Sequence, residues 1–320
     1  MYDVIIIGGG PTGLSCGIEA KYANLSYLIV EKGGITDCIR RFPVNMTFFS
    51  TPELLELGNI PFPSVNVRPN RLEVLNYYRR VVEYFNLEIR LHTRVTNIEK
   101  NNSFFSVNVG DRDTFKAKHV ICAIGYFDFT NRLNVPGEDT PHVSHYYTEP
   151  FAYSQMDTVV VGGRNSAVET ALDLYRHGSR VALVHRGPSL GSVKYWVLPD
   201  ITNRIKEGAI RVYFNSVVNE IRTDEIIIRN NDTNRRKVLK ADFVIPLIGY
   251  RPDEKLLRNA GIRLHDRTLI PEYNPKTFET NVPGLYIAGS VACGCETWNI
   301  FIENGKAHAL PIISDISNHT

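Results

Sequence analysis

Residues Asp3–Gly13 read DVIIIGGGPTG, and this stretch decides the fold. The apolar run Val4–Ile7 predicts a buried strand. It ends in three glycines, of which Gly8 and Gly10 join Gly13 in a G-x-G-x-x-G spacing, and the helix-forming run Leu14–Tyr22 follows. Strand, glycine turn and helix in this order bring backbone close to a pyrophosphate and aim a helix N-terminus at it. A second apolar run, Tyr27–Val30, ends at Glu31, where a carboxylate accepts hydrogen bonds from an adenosine ribose.

Further along, the pattern recurs. Asp157–Ala167 reads DTVVVGGRNSA, a helical run Val168–His177 follows, and a strand Arg180–Val184 comes next. The copies also end alike, in HVICAIGY (His119–Tyr126) and FVIPLIGY (Phe243–Tyr250). Two related nucleotide-binding units are therefore expected, the first enlarged by an insertion that includes residues 41–69. In the second turn Gly162 and Ala167 keep the spacing, but Arg164 replaces the middle glycine. His185 stands where Glu31 stands in the first copy, and Arg186 follows it. A carboxylate there repels a 2′-phosphate, whereas a guanidinium binds it with ~1.5–3 kcal/mol. This favours NADPH, with Lys194 expected to assist; two solvated basic residues at a strand end are the plainer alternative.

A third strand and turn, GLYIAGS (Gly284–Ser290), leads through a loop to a helix expected near Phe301–Ala309. It has no unit of its own, so its simplest packing is against the first one. Two dinucleotide sites in one chain imply transfer between two ligands, FAD in the first and NADPH in the second being the economical reading, so an FAD domain of residues 1–127 and 252–320 and an NADPH domain of residues 128–251 are expected. The terminal helix either aims its N-terminus at the flavin N1/O2 edge or simply packs.

Composition narrows the function classes. The chain has 320 residues, 43% of them hydrophobic, which suits two ordinary cores. With 36 Lys plus Arg against 34 Asp plus Glu and no basic block, nucleic acid is not an expected partner. No apolar run approaches ~20 residues and no basic leader precedes the first strand, so a cytoplasmic protein without membrane attachment is expected. Five cysteines, an odd number, read as free thiols in a reducing compartment. No Cys-x-x-Cys is present, and no metal site is expected.

Together these motifs resemble the low-molecular-weight thioredoxin-reductase superfamily. The resemblance rests on GGGPTG with Glu31, the Ile-Gly-Tyr strand ends, His185–Arg186 and TNVPGLYIAGS. Within that group the chain is similar to the YpdA-type bacillithiol-disulfide reductases, through MTFFSTPELLELGNIPF (Met46–Phe62), VPGEDTPHVSHYY (Val135–Tyr147), GGRNSA, KYWVLPDI (Lys194–Ile201) and IFIENGK (Ile300–Lys306). The resemblance implies an α/β fold of two Rossmann-like, three-layer domains, the NAD(P) domain inserted into a discontinuous FAD domain. It implies FAD and NADPH as cofactors, with hydride passing between them. A small-molecule disulfide, or a small electron-carrier protein, takes the electrons, and the protein is a homodimer or higher homo-oligomer.

The FAD contacts it implies are Gly8, Gly10, Pro11, Thr12, Gly13, Glu31, Lys32, Thr47, Phe48, Ser50, Val95, Gly125, Gly289, Ser290, Ile300 and Phe301. For NADPH they are Gly162, Gly163, Arg164, Asn165, Ser166, Ala167, His185, Arg186, Lys194 and Gly249.

The sequence departs from those enzymes in three places. The thioredoxin-reductase dithiol is missing, Ser290 stands where their C-terminal motif has Asp, and Thr12 stands where the bacillithiol-type enzymes carry Cys. Cys293 and Cys295 lie between Ser290 and the terminal helix. Either one is a catalytic thiolate acidified by that helix, or both are plain loop thiols. Cys16, Cys38 and Cys122 read as structural. Competing activities on the same fold are a ferredoxin- or flavodoxin-NADP reductase, a flavin monooxygenase and a non-catalytic redox sensor.

Overall fold

The computed structural model describes residues 1–110 and 113–319, which divide into two compact units. One comprises Met1–Phe42, Met46–Phe129 and Tyr250–Thr320. The other comprises Pro43–Asn45 and Thr130–Gly249.

The first unit is built on the strand β1 (Tyr2–Ile7), the helix α1 (Pro11–Tyr22) and the strand β2 (Tyr27–Val30). A long strand β3 (Asp113–Cys122) lies parallel to β1 on the side away from β2. Side chains of β1 alternate between two cores, as its two-residue period demands. Val4 and Ile6 pack with Leu14 and Ile18 of α1 and with Val74, Tyr78 and Val81 of the helix Arg71–Phe85. Ile5 and Ile7 pack with Val107, Leu257 and Val291 on the other face. Parallel strands covered on both faces carry unbroken apolar runs, which is how YLIV in β2 comes to be buried throughout.

In the second unit, β4 (Asp157–Val161), α2 (Asn165–Arg176), β5 (Arg180–Val184) and β6 (Phe243–Pro246) repeat that arrangement. The strand order is Arg211–Tyr213, β5, β4, β6, all parallel. Helix α2 covers one face, burying Ala167, Val168 and Ala171. A three-stranded antiparallel sheet formed by Ser216–Ile221, Glu225–Asn230 and Arg236–Lys240 covers the other, through Val218, Ile226 and Leu239.

The repeat extends to single hydrogen bonds. Gly8 N donates to Val30 O and Gly162 N to Val184 O, both at 2.9 Å, while Ala123 N donates to Ile7 O and Leu247 N to Val161 O, both at 2.8 Å.

The strand of GLYIAGS, β7 (Leu285–Ile287), pairs with the end of β3 in parallel register, Leu285 opposite Val120 and Ile287 opposite Cys122. The start of β3 is held on the same edge by Phe105–Val109. The last segment thus completes the first unit, and its helix α3 (Ala309–Asn318) buries Ile312 and Ile316 beside α1.

Two element boundaries differ from the sequence expectation. Helices α1 and α2 start at Pro11 and Asn165 instead of Leu14 and Val168, because the last residues of each glycine motif already form the first helical turn. Pro11 suits that position, its missing N–H being one a helix start leaves unpaired anyway. The terminal helix opens at Ile302, narrows to 3-10 over Lys306–His308 and continues to Asn318, well beyond Ala309. No helix among the described residues is long and apolar enough to cross a membrane.

Candidate functional site

In the first unit, the turn between β1 and α1 is closed on itself. A Cβ on Gly13 would lie 1.9 Å from Gly8 O, so no side chain fits there. Above the turn the space is open, since a Cβ on Gly10 would meet nothing within 4 Å. Gly10 is the N-cap of α1 and no side chain caps the helix, so the first-turn N–H groups face that open space. Glu31 is buried beside it, its Oε2 accepting from Gly9 N at 2.6 Å and its Oε1 from Gly33 N at 2.8 Å. A closed glycine turn, an uncapped helix start and a carboxylate at the end of β2 fit a dinucleotide diphosphate and its ribose.

The opposite wall comes from the other end of the chain. A Cβ on Gly289 would lie 2.6 Å from Thr12 Oγ1, and one on Gly305 would lie 3.3 Å from it. A Cβ on Gly125 would lie 3.4 Å from Ser290 Oγ. Gly289 N donates to His308 Nδ1 at 3.2 Å, and the His308 ring stacks on Phe278 with centroids 4.1 Å apart. Burial lowers His308 to about 4, which keeps the ring neutral and able to accept that bond.

The remaining residues expected around FAD are placed differently. Lys32 forms an ion pair with Asp128. Thr47 bridges to Asn70. Ser50 Oγ donates to Glu303 Oε1 at 2.7 Å. Phe48 and Val95 are buried in the two cores. Ile300 packs against the second of these cores, and Phe301 is 49% exposed at the N-cap of Ile302–Gly305.

Both cysteines between Ser290 and the terminal helix are raised by burial and not acidified by that helix. Cys293 is buried at the end of a 3-10 turn, its Sγ donating to Ser290 O at 3.0 Å, and burial pushes it up to about 11. Burial raises Cys295 as well. The physical reason is desolvation, which outweighs the backbone hydrogen bond from Ile300 and the Arg251 charge. Cys16 and Cys122 are pushed up to about 12, and Cys38 is also raised.

In the second unit, His185 takes the place of Glu31. A Cβ on Gly163 would lie 2.3 Å from His185 Nδ1, as one on Gly9 would lie 2.9 Å from Glu31 Cβ. Arg164, exposed at the uncapped N-terminus of α2, and Arg186, exposed after β5, both lie close enough to help lower the His185 pKa, although burial is the larger cause. Two guanidiniums at an uncapped helix start fit a phosphorylated nucleotide. Gly162 approaches Ala167 within the turn, Ser166 is exposed, and Gly249 accepts the Asn131 amide. Lys194, expected to help a 2′-phosphate, is instead 7% exposed, and its Nζ sits 2.7 Å from Glu169 Oε1.

Sequence reasoning passed over Gly9 and Gly33, the donors to Glu31, and also Glu169 and His308. The doubled glycines Gly8–Gly9 and Gly162–Gly163 were the available signal for the first; long-range pairs such as Gly289–His308 leave none. Among the described residues no group of His, Cys, Asp and Glu could hold a metal ion.

Residues 5–289 match the family described as pyridine nucleotide-disulphide oxidoreductase. The bacilliredoxin reductase Bdr of Bacillus subtilis (strain 168) is 38% identical over 314 residues, covering 98% of this chain and 97% of its own. Two solved structures share the architecture over their full length. The bacillithiol disulfide reductase Bdr (YpdA) from Bacillus cereus has a TM-score of 0.97 at 36% identity, covering 100% of this chain and 99% of that one. The corresponding Staphylococcus aureus protein has 0.96 at 36% identity, covering 99% and 98%.

Proposed function

We infer the activity from one premise: the chain belongs to the pyridine nucleotide-disulphide oxidoreductase family. It is an oxidoreductase that uses a flavin and a pyridine nucleotide. We propose that the flavin is FAD, held by residues 1–127 and 252–320. The nucleotide is NADPH, held by residues 128–251, and the acceptor is a low-molecular-weight thiol disulfide of the bacillithiol-disulfide class. A cytoplasmic homodimer or higher homo-oligomer belongs to the same proposal.

One observation carries this reading: the two glycine turns repeat each other but have opposite charge beside them. The first has the buried Glu31 carboxylate, suited to ribose hydroxyls. The second has Arg164 and Arg186, suited to a 2′-phosphate.

When bound beside the Gly8–Gly13 turn and Glu31, the flavin would supply the redox chemistry that links a reduced nicotinamide to the acceptor. The chain's own residues bind and orient. Gly8, Gly10 and Gly13 let backbone approach the diphosphate, and the N-terminus of α1 faces it. Thr12, packed on Gly289, sets the distance between the turn and the wall that carries Ser290. All five thiols are raised by burial, which argues against a thiolate relay on this chain. That same observation favours a second reading, electron delivery to a ferredoxin or flavodoxin.

Anaerobic reduction by NADPH in a stopped-flow cell, followed by mixing with each acceptor, separates the two. Flavin absorbance should be lost with NADPH and return on adding bacillithiol disulfide. Return with ferredoxin alone moves the assignment to the second reading. Protein that stays colourless after FAD is supplied sinks both.

A further inference from the structure

Residues 187–197 leave the end of β5 and cross the start of α2, and three ties hold them there. Gly191 N donates to Gly163 O at 2.8 Å. Lys194 N donates to Asn165 Oδ1 at 2.8 Å, and Lys194 Nζ reaches Glu169 Oε1 at 2.7 Å. Asn165 and Glu169 are four residues apart on α2 and therefore share a face, and both grip the same lysine.

The chemistry of this segment demands such ties. GPSLGS (Gly187–Ser192) has the composition of a loop, and no helix or strand forms across it. Lys194 is buried while Ser192 and Tyr195, two residues before it and one after, are exposed. Burying an ammonium sacrifices hydration and rotamer freedom, and a carboxylate at hydrogen-bond distance roughly offsets that. The gain from such a pair lies in geometry more than in net stability. Its charge is also balanced inside the protein, which leaves the phosphate-binding role to Arg164 and Arg186.

We propose that Lys194 is a positioning residue: through Glu169 and Asn165 it clasps segment 187–197 across the second glycine turn, so that this wall of the pyridine-nucleotide site is formed before the nucleotide arrives. The proposal rests on the reading that the second unit binds a pyridine nucleotide. Prior ordering of a loop strengthens binding by removing its entropic cost, and it does so for any ligand that uses the loop. The clasp therefore acts alike on NADP⁺ and NAD⁺, whereas a phosphate ligand discriminates between them.

Calorimetric titration of the FAD-loaded enzyme with NADP⁺ and with NAD⁺ tests this. Glu169→Gln and Lys194→Met should each weaken both nucleotides by on the order of tenfold, leaving their affinity ratio and the flavin content unchanged. The double variant should be no weaker than either single one, because both remove the same tie. Unchanged affinity in the single variants overturns the proposal. So does tighter NADP⁺ binding in Glu169→Gln with NAD⁺ unaffected, which would make Lys194 a phosphate ligand held in reserve. Should Lys194→Met fail to fold, the near-isosteric Glu169→Gln decides alone. Wild-type enzyme that binds neither nucleotide overturns the functional reading itself, and the clasp with it.

Discussion

Thr12 and Gly289 lie against each other: a Cβ on Gly289 would come within 2.6 Å of Thr12 Oγ1 and 3.0 Å of its Cβ. One residue lies in the first turn of the first helix and the other follows the last strand, so this contact fixes the two ends of the first unit at the candidate flavin site. Gly289 also has φ +74°, a conformation that costs an L side chain ~1–2 kcal/mol. Gly289→Ala should therefore lower stability by about 2–4 kcal/mol, combining backbone strain and overpacking. Adding Thr12→Ala should restore only the steric part. Denaturant midpoints of the two single variants and the double variant measure this; strict additivity would show that the contact carries no coupling.

Gly10 and Gly13 separate cofactor from fold. Gly13→Ala drives a methyl into Gly8 O, and the turn cannot form. Gly10→Ala meets no protein atom within 4 Å, and its φ of −76° suits alanine. The apoprotein of Gly10→Ala should unfold at the wild-type midpoint while its FAD affinity falls by roughly tenfold or more. Wild-type flavin affinity in this variant would mean the diphosphate does not lie over the turn.

His308 predicts acid sensitivity. Its folded value of about 4 is below the usual ~6.5, so the unfolded chain binds the proton more readily. Its contribution is complete above pH ~6.5 and is lost as pH falls toward 4, at no more than ~1.4 kcal/mol per pH unit. His308→Gln should flatten that part of the stability profile. An unchanged slope in the variant would assign the acid sensitivity elsewhere.

The cysteines predict the opposite slope at alkaline pH. Cys16 and Cys122 keep their protons up to about 12 in the folded state, whereas an unfolded thiol titrates near ~8.5. Stability should therefore decline from pH ~9 upward. Cys293, near 11, should resist iodoacetamide at neutral pH in the native protein and react in urea. Cys293→Ser should leave disulfide turnover within about twofold of wild type, a rate ratio worth less than 0.5 kcal/mol. Rapid native alkylation, or loss of turnover in that variant, would restore Cys293 as a catalytic candidate.

Arg186 predicts nucleotide preference. Arg186→Glu should raise KM for NADPH by roughly 10- to 100-fold, about the loss expected for a charge-assisted phosphate contact, with NADH little affected. Equal losses for both nucleotides would show that Arg186 does not read the 2′-phosphate.

Much of the architecture was legible because it is local. Alternation and apolar runs mark β1, β2, β4 and β5, and the glycine spacing marks where each strand turns into a helix. The return of Leu285–Ile287 to the first unit was also legible, since a lone strand after a complete second unit has to pair elsewhere, whereas its pairing with β3 was not. Roles that depend on a distant partner were not. Ser50 is engaged by Glu303 and Gly289 by His308, contacts that sequence distance hides.

By itself, the sequence determined the repeated strand–turn–helix frame and the charge beside each turn, because backbone sterics and hydrophobic period act over a few residues. Tertiary structure alone decided which polar groups remain available. It buried Lys194 on Glu169 and raised every thiol, since desolvation and ion pairing depend on what packs around a group and not on its neighbours in the chain.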